Sequence, residues 1–157
     1  MVRPMPSTII RRASADDLPV LRGFEQGVIA AERPFDPTLS PDPIRYYDLE
    51  LMIAAAHIEL VVAEVGGAPI GCGYARLEAA EPYLRHPRHA YLGFMYVVPA
   101  HRGRGINREI VEALAAWATA QGVPELRLDV YQRNQPAIRA YEKAGFVQHT
   151  ILMRRGS

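Results

Sequence analysis

The stretch Tyr91 to Arg108, YLGFMYVVPAHRGRGINR, constrains this chain more than any other. It opens as an apolar run dense in aromatic and β-branched residues, which suits a buried strand. Pro99 ends that run. The small, basic segment His101-Arg102-Gly103-Arg104-Gly105 follows, and an amphipathic pattern begins at Ile106. A strand, a glycine-rich turn and a helix start, in that order, make an anion cradle. Glycines let the backbone approach an anion closely, and the unpaired N–H groups of the first helical turn point at it along the helix dipole. The expectation is a loop that holds a pyrophosphate.

The rest of the chain supplies alternating elements around that stretch. Thr8-Ile9-Ile10-Arg11 is a short strand candidate. Ser14-Ala15-Asp16-Asp17 carries the signature of a helix start, with Leu18, Leu21, Phe24 and Val28 as its buried stripe. Four prolines between Arg33 and Pro43 make that segment a loop, with Phe35 suited to a pocket wall. Asp42-Pro43 reads as the cap and first position of a second helix, with Ile44, Tyr47 and Leu51 as its stripe. Ile58–Val65 and Pro69–Leu77 flank Gly66-Gly67 as a hairpin, and Glu78–Arg88 reads as a loop. After the opening strand a helix is expected from about Gly103 to Gln121, with Ile106, Ile110, Leu114 and Trp117 inward. Leu126–Val130 alternates as a strand, Asn134–Ala144 reads as a capped helix closed by Gly145, and Phe146–Met153 as a final strand. Hairpins first and helix crossovers later imply a mixed α/β sheet, with ligand at the carboxyl end of the strand before the glycine turn.

Composition narrows the class. A chain of 157 residues fits one domain with a core of its own. A net charge of +1 argues against a broad nucleic-acid footprint through Arg102, Arg104 and Arg108. The single cysteine, Cys72, rules out an intrachain disulfide and points to a reducing compartment. It falls in a strand and reads as a core residue rather than a nucleophile. His86 and His89 sit three apart in a loop without metal-ligand spacing, so no metal is expected. No apolar run reaches the roughly 20 residues of a membrane span, and Met1-Val2-Arg3-Pro4 lacks the apolar core of a signal peptide. A cytoplasmic protein is expected.

The turn Arg102-Gly103-Arg104-Gly105-Ile106-Asn107 is neither a Walker A loop nor GxGxxG. It resembles the acyl-CoA loop of the GNAT superfamily of N-acetyltransferases, Q/R-x-x-G-x-G/A after a strand ending near Val-x-Pro. A second segment of that family's pattern is also present. Leu128-Asp129-Val130, then Asn134, Ala137, Tyr141, Glu142, Lys143 and Gly145-Phe146 are similar to its L-x-V…N-x-x-A-x-x-x-Y-E-K-x-G-F. Two such halves in the expected strand–helix order make a far more specific signal than either alone.

The resemblance implies one acyltransferase domain over residues 1–157, built on a central mixed sheet of about six to seven strands flanked by about four helices. It implies an N-acetyltransferase with acetyl-CoA as cofactor and a primary amine, on a small molecule or a peptide or protein, as acceptor. Backbone N–H groups from Gly103 through Arg104, Gly105, Ile106 and Asn107 to Arg108 would cradle the pyrophosphate, with Arg102, Arg104 and Arg108 adding charge. The open edge at Met95, Tyr96 and Val97 would pair with the pantetheine amides, and a strand N–H near Tyr96 would face the developing oxyanion. Asn134 would lie beside the cofactor arm. Tyr141, two helical turns further and roughly 10 Å away, would protonate the departing thiolate. The acceptor would lie among Glu32, Phe35, Asp36, Tyr46 and Tyr91, a mix of carboxylates and aromatics that favours a cationic amine. Members of the superfamily often pair through late strands, which extends the implication to a homodimer.

Two positions depart from the family pattern. Asn107 stands where the motif ends in Gly or Ala, so its side chain would crowd the cofactor or contact it. Tyr91 stands where many relatives carry a glutamate base, and a tyrosine with a pKa near 10 is a poor base at neutral pH. Deprotonation of the amine would then fall to Glu78, Glu81 or Asp129 through water, or to no dedicated base. The missing strand carboxylate leaves a second reading, an acyl-CoA-binding sensor module without turnover.

Overall fold

The structure is a computed structural model that describes residues 3, 4 and 6–156. Met1 and Val2 of the N-terminal stretch read above, with Met5 and Ser157, lie outside the described residues. The sheet follows the hydrophobic alternation. β1 (Thr8–Arg12), β2 (Ile58–Val65), β3 (Ala68–Ala79), β4 (Arg88–Val97) and β5 (Leu126–Arg127) lie side by side in that order. Successive pairs are antiparallel up to β4, and β5 runs parallel to β4. This is the mixed α/β sheet expected, with the hairpin turning at Gly66-Gly67.

Four helices flank the sheet. α1 (Leu18–Glu32) and α2 (Leu49–Ala54) pack on one face, where Leu21, Phe24, Val28, Leu49 and Met52 join Val62, Cys72 and Phe94 in one core. α3 (Ile106–Ala120) covers the other face through Ile106, Ile110, Val111, Leu114 and Ala118. α4 (Gln135–Lys143) adds Tyr141, with Ala144 and Phe146 after it, at the margin of that second core. No helix among the described residues is long and apolar enough to cross a membrane.

Three expectations need correction. The sheet has five strands rather than six or seven. Phe146–Met153 has no regular secondary structure and joins no sheet, because a strand needs an edge to pair with and β5 offers two residues. Ile151, Leu152 and Met153 stay exposed in consequence. The second helix starts at Leu49, not at Pro43, and Leu51 is exposed while Leu49 and Met52 are buried. Here the Asp42–Pro43 bond is cis, and the Asp48 carboxylate takes the cap, accepting the Leu51 N–H at 3.1 Å.

The start of α1 shows how the sequence secures its frame. Asp17 is 5% exposed. It accepts the Ser14 N–H at 2.8 Å and two bonds from Arg11 of β1, at 2.8 and 2.7 Å. The Arg11 guanidinium holds the Asp17 carboxyl below the usual range, helped by Ser14. A lowered native pKa stabilises the fold above the unfolded value near 4, and that contribution is lost as pH falls through the native one. Asp17→Asn should therefore lower the unfolding free energy by about 2 kcal/mol at neutral pH, with the deficit shrinking in acid. Denaturant titrations at pH 7 and pH 3 measure both quantities.

Gly27 carries a different constraint. A Cβ there would lie 2.7 Å from the ring and hydroxyl of Tyr96 on β4. Glycine to alanine inside a helix ordinarily stabilises by about 1 kcal/mol. At this position the clash should reverse the sign, and thermal unfolding of Gly27→Ala should show a destabilisation of about 1–3 kcal/mol.

Candidate active site

β4 breaks its alternation once. Gly93 pairs with Tyr74 and Tyr96 with Cys72, so Gly73 of β3 faces two residues, Phe94 and Met95. That is a β-bulge. Phe94 has φ 53°, the one non-glycine residue in the left-handed region among the described residues. The extra residue reverses which side of the sheet the following side chains reach. Leu92 belongs to the core under α3, whereas Phe94 belongs to the core under α1 and α2. The Tyr47 ring stacks on Phe94 with centroids 4.5 Å apart. The Cys72 thiol donates to the Phe94 carbonyl at 3.3 Å. Cys72 is fully buried, and desolvation pushes its thiol pKa up, so it stays a protonated core residue as expected.

Beyond the bulge one edge of β4 is open. β5 meets β4 only at Ala90↔Leu126 and Tyr91↔Arg127. Met95, Tyr96 and Val97 therefore present a strand edge without a partner strand. The Tyr96 ring turns toward α1 and packs on Phe24 with centroids 5.2 Å apart. Arg102 folds back over it. Its guanidinium carbon lies 5.6 Å from the Tyr96 centroid, and its Nε donates to the Val97 carbonyl at 2.8 Å. The Arg102 charge is thus fixed where strand passes into loop.

The loop itself is a cradle of unused donors. Gly103 and Gly105 adopt φ 75° and 79°, conformations that favour glycine. Glu109 is the first residue of α3 to bond back, to the Gly105 carbonyl at 3.1 Å. The N–H groups from Gly103 to Arg108 consequently have no backbone acceptor. Arg104 and Arg108 are exposed beside them, and Asn107, in the first turn of α3, is half-buried.

On the α1 side lie four of the residues expected to wall the acceptor, Glu32, Phe35, Asp36 and Tyr46. Glu32 ends α1, half-buried, and accepts the Tyr46 hydroxyl at 2.8 Å. Burial raises the Glu32 pKa, against that hydrogen bond. Asp36 accepts the Tyr131 hydroxyl at 2.7 Å, and Phe35 stacks on the Tyr131 ring at 6.3 Å. Asp36 is held below the usual carboxylate range by hydrogen bonds, from Thr38 first and then Tyr131. Tyr91 forms a second cluster, donating to Asp129 at 2.9 Å, with the Arg76 guanidinium 5.4 Å from its ring centroid. Desolvation and the Asp129 carboxylate both raise the Tyr91 pKa, so Tyr91 holds its proton at neutral pH.

Tyr141, on α4, is half-buried and edge-on to Phe146 at 5.8 Å. Desolvation, with a smaller contribution from the Glu32 charge, pushes its pKa up to about 12. Asn134 caps α4, its side-chain oxygen accepting the Ala137 N–H at 3.4 Å.

Sequence reasoning missed Tyr131 and Tyr47. Period-two alternation through Leu126–Tyr131 places Asp129 and Tyr131 on one face and could have found the first. Tyr47 was assigned to a helical stripe that does not form. Among the candidate bases, Glu78 is engaged by Arg76 at 2.8 Å and Glu81 lies in the exposed loop before β4. Asp129 is the carboxylate that touches Tyr91.

Comparison with known proteins places this arrangement. The Acetyltransferase (GNAT) family model matches residues 26–146. Streptothricin acetyltransferase of Streptomyces lavendulae is 44% identical over 50 residues, which are 32% of this chain and 26% of that protein. Aminoglycoside N(6')-acetyltransferase type 1 of Salmonella typhimurium is 25% identical over 109 residues, 68% of this chain and 74% of that protein. The fold matches AAC(6')-Iy, solved with the bisubstrate analog CoA-S-monomethyl-acetylneamine, at a TM-score of 0.75 and 22% identity over 96% of this chain and 99% of that one. With the family model matching residues 26–146, and with strand, cradle and capped α4 in the expected order, the chain belongs to the acetyltransferase (GNAT) family.

Proposed function

We propose that this chain transfers an acetyl group from acetyl-CoA to a primary amine by direct attack within a ternary complex. One observation carries the reading: the unpaired edge of β4 runs directly into the donor cradle at Gly103–Arg108. An unpaired strand edge offers amide partners at regular spacing, and a cradle of free N–H groups at a helix N-terminus suits a pyrophosphate. The residues present fit coenzyme A in both respects. Acetyl-CoA supplies the activated acetyl thioester.

The chain's own groups take the other roles. Met95, Tyr96 and Val97 would hold the pantetheine arm through their backbone, with Asn134 facing it from the start of α4. Arg104 and Arg108 add positive charge to the cradle, and Asn107 lends its N–H. The strand N–H near Tyr96, just past the bulge, would face the oxygen on which charge develops. Tyr141 remains protonated at neutral pH and gives its proton to the departing sulfur. Asp129, joined to the Tyr91 hydroxyl, is the carboxylate placed to take the amine proton through water. The acceptor would meet Glu32, Phe35, Asp36, Tyr46 and Tyr91, whose carboxylates and rings favour a cationic amine.

A second copy of the chain is the occupant we assign to the arm Val147–Met153. Val147, Ile151, Leu152 and Met153 are each more than 80% exposed, and no backbone group of the arm is paired among the described residues. Each chain thus carries an arm with unpaired backbone and, past Arg127, a strand that stops short. Two copies related by a twofold axis would satisfy both features in each other. Sedimentation should give a dimer for the wild-type chain and a monomer for Leu152→Asp; a wild-type monomer at micromolar concentration would remove this assignment.

The transfer reaction is tested by thiol release on a panel of amines. Tyr141→Phe should lower kcat by about 10²-fold. With its pKa near 12, Tyr141 should contribute no loss of activity up to about pH 10. Asp129→Asn should lower the rate most at neutral pH and least where the amine is already neutral. Binding of acetyl-CoA without turnover on any amine would instead favour the sensor.

A further inference from the structure

Glu25 is a buried carboxyl group with no paired cation among the described residues. It is 2% exposed, on the buried side of α1, and reaches the segment before α2. Asp17, the other buried carboxylate among the described residues, is paired with Arg11, whereas Glu25 makes no salt bridge. Its Oε2 accepts two consecutive backbone donors, the N–H of Tyr46 at 2.9 Å and the N–H of Tyr47 at 2.8 Å. Desolvating a carboxylate for two backbone donors is a costly way to tie a loop, since a neutral acceptor would satisfy both. What the side chain adds is fixity, because one oxygen that accepts both amides holds the two residues in place relative to each other.

The two residues so held lead to different parts of the site. Tyr46 reaches Glu32 with its hydroxyl at 2.8 Å. Tyr47 lies on Phe94 at 4.5 Å, and stands edge-on to Tyr74 at 6.0 Å. Phe94 is the left-handed residue of the β4 bulge. A phenylalanine stays in that conformation only where its surroundings over-determine it. Covering by Tyr47 and the Cys72 hydrogen bond to its carbonyl supply that surplus.

We propose that Glu25 is a positioning residue for acyl transfer: through the two amides it clamps Tyr47 on the bulge of β4 and Tyr46 on Glu32. It touches neither cofactor nor acceptor. One buried carboxylate thereby sets two things together, the single strand N–H near Tyr96 that would face the developing oxyanion and the placement of the acceptor wall. The proposal rests on the acetyl-transfer reading.

The test compares Glu25→Gln, which keeps an acceptor oxygen for both amides, with Glu25→Leu, which removes it. Steady-state rates, calorimetric acetyl-CoA affinity and 19F spectra of 3-fluorotyrosine-labelled protein are measured on each. In Glu25→Leu, kcat should fall at least tenfold and the amine KM rise several-fold. The acetyl-CoA Kd should stay within twofold, and the Tyr46 and Tyr47 resonances should move. Glu25→Gln should restore kcat to within threefold and return both resonances. A folded Leu variant with wild-type kcat overturns the proposal, as does one whose acetyl-CoA affinity falls in step with kcat. If Glu25→Leu does not fold, Tyr47→Leu breaks the other end of the clamp. It should lower kcat tenfold at unchanged acetyl-CoA Kd, and a wild-type kcat there overturns the proposal equally. If the wild-type chain binds acetyl-CoA but acetylates no amine, the functional reading fails on its own. The clamp is then judged by the spectra, and an unmoved Tyr47 resonance in Glu25→Leu, or in Glu25→Gln and Glu25→Leu alike, sinks it.

Discussion

The bulge at Phe94 is the constraint on which the rest of this structure depends. One extra residue in β4, opposite Gly73, exchanges the two faces of the sheet for every side chain that follows. Without it Tyr96 would point under α3, and the pocket in α1 left by Gly27 would have no ring to fill it. With it, Tyr96 sits beneath Arg102, Val97 enters the α3 core, and the strand reaches the glycine turn in the right phase. A non-glycine residue in the left-handed region costs on the order of 1–3 kcal/mol. The stacked ring of Tyr47 and the full burial of Phe94 offset that cost, so packing on one face sustains a backbone shape whose use lies at the strand's edge.

That edge separates two environments of opposite sign. On the glycine-turn side, free N–H groups and three arginines give a positive end. On the α1 side, Glu32, Asp36 and Asp129 are each tied by a tyrosine hydroxyl. A net charge of +1 does not reveal this separation, because it sums charges wherever they lie. Neutral phenolic donors fix the carboxylates in place without bringing the opposing charge that a bonded arginine would. The arrangement suits an anionic ligand entering from one side and a cationic one from the other.

Most of the α3 side of this molecule was legible in the sequence, and much of the α1 side was not. The glycine turn, the capped α4 and the hairpin rest on local rules: left-handed glycines, an asparagine cap and alternating apolar residues. Gly103, Gly105 and Asn134 obey them. The errors came where distant groups override local propensity. Asp42-Pro43 has the form of a helix start, yet Glu25 claims the amides of Tyr46 and Tyr47 and holds that segment out of a helix until Asp48. Phe146–Met153 has strand composition, but composition does not show whether an edge is free to receive it. The bulge was hidden for a related reason, since a continuous apolar run such as Leu92–Val98 has no polar marks from which a change of face can be read.

The tyrosine–carboxylate ties also bear on the order in which the site comes into being. Tyr46 to Glu32 spans 14 residues, Tyr91 to Asp129 spans 38, and Tyr131 to Asp36 spans 95. Loop-closure entropy must be met before contacts of long sequence separation repay it. The cradle is local, made by neighbours along the chain, and can form with the β4–α3 unit. The wall needs the segment after β5 to return and dock on the loop after α1. Local opening of that segment would release Asp36 and Tyr91 from their ties while leaving sheet and cradle intact, so the side of the site with the long-range ties is also the side most readily undone.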